Sequence, residues 1–220
     1  MRGKEVAGVS SGDGSSLPRW LIWARDLQAI AQNGLTYAKD PFDVERYSEV
    51  RRVAAEMLAV QGDLDATRVR DLLGREAGHS TPKVDVRAAV FRDDSILLVR
   101  ERSDGLWTLP GGWADPGEPP SVAVTREVVE ESGYQTRATR LLAVYDRDLH
   151  GHPPLAYPVY KLFFACDLIG GAPTLSNETD GVDFFRQDAL PDLSLSRVTT
   201  AQIVRLFRLQ RDPTLPTEFD

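Results

Sequence analysis

The 220-residue chain has little of what marks secreted, membrane-bound or nucleic-acid-coating proteins. Its single cysteine, Cys166, excludes a disulfide within the chain, and its apolar neighbours indicate a buried thiol. No apolar run approaches the roughly 20 residues of a membrane-spanning helix, and the first residues lack the apolar core of a signal peptide. The net charge of −7 argues against a broad basic surface, though not against a local basic groove. We therefore expect a cytoplasmic protein without a membrane segment.

Hydrophobic periodicity divides the chain into a helical part and a mixed part. We predict a disordered tail over 1–18, a helical domain over 19–76, a linker over 77–82, a larger domain over 83–213 and a C-terminal tail over 214–220. In the helical domain, the first helix is predicted to end at Gly34 as its C-cap. These short helices make a unit too small to be very stable alone. Their apolar faces need a partner, either the rest of the chain or a second copy.

The larger domain mixes strands and helices. From Lys83 the apolar residues alternate as in a strand, and a turn followed by "ILLVRER" indicates a hairpin. Pro119 and Pro120 suit the first turn of a helix that is predicted to end at Ser132, with Gly133 beyond it. Two more strands, a short strand and a final helix over about 197–211 follow. The predicted class is α+β, with helices packed on a sheet.

The stretch "REVVEESG" carries three glutamates at one end of that helix. Glu127, Glu130 and Glu131 stand at i, i+3 and i+4 and so share one face. The helix dipole and their mutual repulsion both disfavour negative charge at a C-terminus. The stretch is therefore either a solvated acidic face or a site that holds something positive.

The glutamates belong to a longer pattern. Gly112 is followed after five residues by Glu118, and after seven more by Arg126 and the "REVVEESGY" stretch. This pattern resembles the signature of the Nudix hydrolases, and every fixed position is filled. The resemblance implies a Nudix fold, in which a mixed β-sheet is packed between helices, preceded here by a small all-α N-terminal domain.

The spacing also has a physical reason. Cleaving a pyrophosphate requires water to reach a phosphorus atom that is shielded by anionic oxygens, and divalent cations neutralise that charge. Mg²⁺ prefers hard oxygen ligands, which a helix with clustered carboxylates supplies. The glycine pair Gly111–Gly112 lets backbone carbonyls approach the same ions.

The resemblance assigns roles to these residues. Metal binding, by Mg²⁺ or alternatively Mn²⁺, is expected from the carbonyl of Gly112 and from four carboxylates: Glu118, Glu127, Glu130 and Glu131. Arg126 would offset the negative charge and orient a glutamate, and Glu127 is also a candidate general base. Outside the pattern, Glu178 is either a further catalytic or metal-binding residue or a solvated loop carboxylate.

Four other residues are candidate substrate contacts. Trp107 and Trp113 flank the glycine-rich loop and would line a substrate pocket. Arg87 would reach a phosphate or else lie on a strand surface. His152, in "HGH", would contact a phosphate or the leaving group. A transition-metal site is the weaker alternative, because these two histidines have no further ligands near them in the sequence.

The resemblance extends over residues 19–211 and points to a bacterial subgroup with a helical N-terminal domain. That subgroup resembles the CDP-choline pyrophosphatase type, whose expected substrate is a nucleoside diphosphate linked to another moiety. ADP-ribose hydrolysis and removal of nucleotides from RNA 3′ ends are the alternatives, and a homodimer through the N-terminal helices is implied. A different class, a nucleotide sensor without turnover, would require a basic recognition helix and usually has an eroded acidic pattern.

Overall fold

The computed structural model describes residues 17–220. The predicted disordered tail, 1–18, therefore lies outside the described residues except for its last two positions. Within 17–220, three helices precede a mixed sheet that packs against two further long helices, which confirms the α+β class. No helix in this part of the chain is long and apolar enough to cross a membrane.

The N-terminal helices are α1 (Arg19–Tyr37), α2 (Pro41–Gly62) and α3 (Ala66–Gly74). Asp40 and Asp65 cap the second and third helices, because each side chain accepts a hydrogen bond from a backbone N–H in the first turn. The helices pack through a small core of buried apolar side chains: Leu21, Ala24, Ala55, Leu58, Ala59, Val69 and Leu73.

Gly34 lies inside α1 and does not cap it, so the predicted helix end was wrong. The helix continues to Tyr37. A Cβ atom on Gly34 would lie 2.3 Å from the ring of Tyr47 in α2. Glycine is needed here because the side chain of another helix packs against the backbone, which local sequence does not reveal.

Seven strands form the sheet: β1 (Lys83–Arg92), β2 (Ser95–Glu101), β3 (Trp107–Thr108), β4 (Tyr134–Asp146), β5 (Val159–Gly171), β6 (Thr179–Arg186) and β7 (Glu218–Phe219). Their order is β3-β2-β1-β5-β4-β7, and β6 also pairs with β2. The sheet is mixed, since β1 is parallel to β5 and antiparallel to β2. Two helices, α4 (Pro120–Ser132) and α5 (Thr200–Arg211), pack against it.

Strand β1 positions the glycine-rich loop. Its last two residues pair with β2, but nearer its start it runs beside the loop that follows β3. The amide of Val86 donates to the carbonyl of Gly112, and that of Ala88 to Pro110, both at 2.8 Å. This strand therefore has the loop on one edge and β5 on the other.

Alternate residues of β1 face different cores. Val86, Ala88 and Val90 pack with α4, whereas Ala89 belongs to the cluster that includes Ile203 of α5. Both faces of the strand are therefore covered, and polar side chains at its other positions are buried with it.

The C-terminal end differs from expectation in two places. Helix α5 begins at Thr200, later than the predicted residue 197, because Thr199 and Gln202 form a capping box. Two residues of the segment 214–220, Glu218 and Phe219, form β7 and pair with β4. That segment therefore contributes to the sheet.

Candidate active site

Helix α4 carries the glutamates and ends where the sequence predicts. It spans Pro120–Ser132, and Gly133 follows in the left-handed conformation with φ of +75°. A Cβ atom on Gly133 would lie 2.5 Å from the carbonyl oxygen of Ala172. Glycine is therefore required both by the helix end and by the backbone packed against it.

The glycine pair fits between β1 and α4. A Cβ atom on Gly111, which has φ of +142°, would lie 2.0 Å from the carbonyl oxygen of Val86. A Cβ atom on Gly112 would lie 3.1 Å from Oε1 of Glu127. The amide of Gly111 also donates to Oε2 of Glu131 at 2.9 Å. The loop backbone is thus in direct contact with the glutamates, which side chains would prevent.

Arg126 joins the carboxylates. Its Nη1 lies 3.0 Å from Oε1 of Glu127 and 2.8 Å from Oε2 of Glu130, and its Nη2 lies 3.0 Å from Oε2 of Glu118. These hydrogen bonds lower the pKa of Glu118 and raise that of Arg126. The repulsion expected from the sequence is therefore offset by one guanidinium group in the protein itself.

Two of the glutamates are shielded from solvent. Glu131 is only 4% exposed, and burial raises the pKa of its carboxyl to about 8, although Arg87 and the Gly111 amide oppose the shift. Burial also raises the pKa of Glu127 above its ordinary value, and Arg126 opposes that shift. Both carboxyls would be stabilised in their charged form by a further positive charge.

The donor set suits a hard divalent cation. The side-chain donors are carboxylate oxygens, and the carbonyl of Gly112 has a second lone pair besides the one that accepts the Val86 amide. Within residues 17–220, however, no three acidic, histidine or cysteine side chains already converge in a cation site. Arg126 engages three of the carboxylates instead. Mg²⁺ or Mn²⁺ therefore fits these residues chemically, and the metal-binding roles stay a prediction.

Arg87 is buried, which rules out the surface alternative. Its side chain is 7% exposed and pairs with Asp85 at 2.8 Å, and its Nη1 donates to the carbonyl of Leu109 at 3.1 Å. Its charge opposes the rise in pKa of both Glu127 and Glu131. Arg87 thus lies close enough to α4 to influence the acidic cluster.

A cavity of about 210 Å³ opens beside Gly112. It is lined by four basic side chains and one carboxylate: Asp85, Arg87, Arg147, Lys161 and Arg197. Lys161 faces Asp85 in the β1–β5 register and forms an ion pair with it. Burial nevertheless lowers the pKa of Lys161 to about 8. We call this space the basic cavity.

Comparison with known proteins decides the family. Residues 81–207 match the family model described as the NUDIX domain, and residues 18–73 match "UDP-X-like, N-terminal oligomerisation domain". The chain is a Nudix hydrolase. The expected Nudix fold, with its helical N-terminal domain, is therefore confirmed.

Three relatives show how far the similarity extends. This Nudix hydrolase is 46% identical over 202 residues to the Bacillus subtilis protein named "Putative ADP-ribose pyrophosphatase YjhB", covering 92% of this chain and 97% of that one. It is 34% identical to a crystal structure of UDP-X diphosphatase, with a TM-score of 0.61, covering 92% and 98% of the two chains. An ADP-ribose pyrophosphatase from Streptococcus suis is 41% identical, with a TM-score of 0.59, covering 64% and 100%.

One buried carboxylate of the Nudix hydrolase was missed by sequence reasoning. Glu101 ends β2, is 7% exposed and lies 3.1 Å from Nε of Arg197. Burial raises the pKa of Glu101, and its charge in turn helps to raise that of Glu131. The available signal in the sequence for a buried carboxylate was that Glu101 is the acidic last residue of the apolar strand "ILLVRE".

Glu178 lies at the edge of this acidic group. The residue is exposed, but its charge contributes to the raised pKa of Glu101, for which burial is the main cause. The next residue, Thr179, donates its hydroxyl to the carbonyl of Glu131 at 2.6 Å, which ties this loop to the end of α4. A catalytic role for Glu178 stays a prediction.

The four candidate substrate contacts separate into two pairs. Arg87 and Trp113 line the basic cavity, but Trp107 and His152 do not. Trp107 packs edge-on against Phe185, with ring centroids 4.7 Å apart. The buried His152 donates through Nδ1 to the carbonyl of Leu195 at 2.7 Å. Burial lowers the pKa of His152 to about 4, so the ring is neutral and is unsuited to pairing with a phosphate.

Proposed function

We propose that this Nudix hydrolase cleaves the pyrophosphate bond of a nucleoside diphosphate linked to a second moiety, releasing a nucleoside monophosphate. A single observation carries the proposal: the glycine pair contacts carboxylates of α4, and Gly112 also lines the basic cavity. A diphosphate is anionic and is bound by cationic groups along its oxygens. The divalent metal that promotes its hydrolysis is in turn bound by anionic ligands. Both requirements are met around Gly112.

The basic cavity suits the diphosphate rather than a neutral group. Arg147 and Lys161 are buried, so their charges act in a poorly screened environment. Asp85 is engaged by Arg87 and Lys161, and Arg197 is paired with Glu101 and Asp104, so these carboxylates balance part of the charge. The surplus positive charge would favour the phosphate groups and hold them next to Gly112.

We assign the metal to the carboxylates of Glu118, Glu127, Glu130 and Glu131 and to the carbonyl of Gly112. A bound Mg²⁺ or Mn²⁺ would neutralise phosphate oxygens and acidify water. Arg126 contacts the carboxylates of Glu118, Glu127 and Glu130 and would orient them towards a bound metal. Glu127 is our candidate base, with Glu178 as the alternative supplied by the loop before β6.

Three substrates are compatible with this site. CDP-choline is the choice favoured by the resemblance in the sequence, whereas the relatives bear the names ADP-ribose pyrophosphatase and UDP-X diphosphatase. All three are nucleoside diphosphates joined to a second group, which is the class that we propose.

The test is a substrate panel with the full chain. CDP-choline, ADP-ribose, UDP-glucose, a nucleoside triphosphate, a dinucleoside polyphosphate and a short RNA are each incubated with Mg²⁺ or Mn²⁺, and nucleoside monophosphate release is measured. We expect turnover of at least one of the first three. Tight nucleotide binding without turnover would instead support a nucleotide sensor. Turnover of RNA alone would instead support removal of nucleotides from RNA 3′ ends.

We also propose that the chain forms a homodimer through its N-terminal helices. Large apolar side chains on α1 and α2 are exposed in the single chain: Ile22, Trp23, Ile30, Tyr37, Phe42, Val44, Val53 and Val60. Apolar surface of this extent usually marks an interface. The match of residues 18–73 to an oligomerisation domain supports this assignment.

A further inference from the structure

One wall of the basic cavity is a loop that packs against the N-terminal helices. Arg147 begins a short 3₁₀ helix after β4, and the chain then runs as a loop to β5. Arg147 and Leu155 line the basic cavity, whereas Ala156 and Tyr157 pack against the core of the N-terminal helices. We call residues 147–158 the Arg147 loop. It contacts the proposed phosphate site and the helical domain at the same time.

Arg25 of α1 is hydrogen-bonded to the Arg147 loop at two places. Its Nη1 lies 2.5 Å from Oδ2 of Asp148, and its Nε donates to the carbonyl of Leu155 at 3.1 Å. The side chains of Arg25 and Asp148 are 10% and 12% exposed. Solvent and salt therefore screen this ion pair little, and it is stronger than a pair on the surface.

Arg147 is the neighbour of Asp148 but is not hydrogen-bonded to its carboxylate. Nη1 of Arg147 lies 3.9 Å from Oδ1 of Asp148, which is too long for a hydrogen bond. The same Nη1 donates instead to the carbonyl of Pro153 at 2.7 Å. That partner is neutral, so it fixes the guanidinium group without cancelling its charge.

Arg25 and Arg147 thus compete for one carboxylate. In the part of the chain that the structure describes, they are the two cations within 4.0 Å of Asp148. A shielded carboxylate that loses its partner is costly. Without Arg25, a small movement of the Arg147 guanidinium would satisfy Asp148, and the positive charge of Arg147 would then be lost to the basic cavity.

We infer that Arg25 is a positioning residue for the substrate: by binding Asp148, it keeps the guanidinium of Arg147 available to the diphosphate. This inference rests on the proposed function, in which the basic cavity binds the diphosphate. Arg25 lies outside the lining of that cavity, so it acts through Arg147. A residue of the helical domain would then set the affinity of the catalytic domain for phosphate.

The test measures binding of inorganic pyrophosphate to the full chain by calorimetry, in EDTA so that no metal-dependent hydrolysis occurs. Arg25→Met should weaken binding about tenfold, the value of one hydrogen bond to a charged group. Arg25→Met/Asp148→Asn should bind within about threefold of the wild type, because the competing carboxylate is gone. A merely structural role of Arg25 predicts no such rescue. If Arg25→Met does not fold, the double variant, which lacks the unpaired carboxylate, decides.

Two further variants separate this role from other effects. Gln32→Leu is the matched control, since it removes a different hydrogen bond of α1, to the carbonyl of Gly78 at 3.1 Å, and should leave pyrophosphate binding unchanged. In an Arg147→Met background, Arg25→Met should cause no further loss. An equal loss in that background would show that Arg25 acts on the ligand directly, and would overturn the inference.

The inference is also overturned by unchanged binding in Arg25→Met, by a double variant that binds as weakly as Arg25→Met, or by a wild type that does not bind pyrophosphate. Nucleotide turnover by the wild type combined with unchanged pyrophosphate binding in Arg25→Met would refute the role of Arg25 alone. The expected binding pattern without turnover of any nucleotide would refute the proposed function alone.

Discussion

Replacing Glu131 with glutamine tests the electrostatics of the acidic cluster. Glutamine keeps the shape of the side chain and an oxygen that can accept the Gly111 amide, now 2.9 Å from Oε2. It removes an ionisable group that is 4% exposed. We expect the metal-free Glu131→Gln protein to be more stable than the wild type near neutral pH.

The magnitude follows from the pKa of Glu131. Burial raises this pKa from 4.5 to about 8 in the folded protein, so the folded state retains a proton that the unfolded state releases. The wild type therefore loses stability as pH rises from 4.5 towards 8. At about 1.36 kcal/mol per pH unit, the loss at pH 7 is at most about 3 kcal/mol, and glutamine avoids it. The melting temperature should rise by about 6–12 °C.

The assay is denaturant unfolding in EDTA at pH 4.5, 7 and 8. The difference in free energy of unfolding between Glu131→Gln and the wild type should be close to zero at pH 4.5 and increase with pH. Glu130→Gln is the control, because the Glu130 side chain is 56% exposed and its replacement should change stability little. A difference independent of pH, or a less stable Glu131→Gln protein at pH 8, would refute the reasoning.

Three further predictions test the other parts of the account. Arg126→Gln should lower kcat about 10- to 100-fold by releasing the carboxylates that it orients, and unchanged kinetics would count against that role. Lys161→Met should raise KM about tenfold with little change in kcat, since one phosphate partner is lost; an unchanged KM would exclude the basic cavity. Ile30→Glu should give a monomer in sedimentation, whereas Ile169→Glu, at a similarly exposed side chain of β5, should leave the dimer intact. A dimer in both variants would place the interface elsewhere.

Features with local causes could be predicted from the sequence. The prolines at 119 and 120 and Gly133 determine where α4 begins and ends, and the fixed spacing from Gly112 to Glu131 indicated the family. The prediction that Gly34 ends α1 was wrong, because glycine is needed there to accommodate the ring of Tyr47 in another helix. A glycine at a plausible helix end and a glycine under a packed ring look the same in sequence.

The basic cavity could not be predicted because its residues come from separate elements. Arg147, Lys161 and Arg197 each resemble ordinary surface residues in the sequence, and the fold brings them together. Lys161 is buried because the β1–β5 register sets it opposite Asp85. The available signal was one charged residue of opposite sign in each of two apolar strands, Asp85 in β1 and Lys161 in β5. That signal indicates an ion pair only when the pairing of the two strands is known.

The most direct test of the central claim is metal-dependent product release. Wild-type protein and Glu130→Gln are incubated with CDP-choline, ADP-ribose and UDP-glucose while Mg²⁺ is titrated, and nucleoside monophosphate is quantified. We predict that the wild type releases monophosphate from at least one substrate, that EDTA abolishes release, and that Glu130→Gln lowers it about 100-fold or more. Release that persists in EDTA, or a fully active Glu130→Gln protein, would contradict the account.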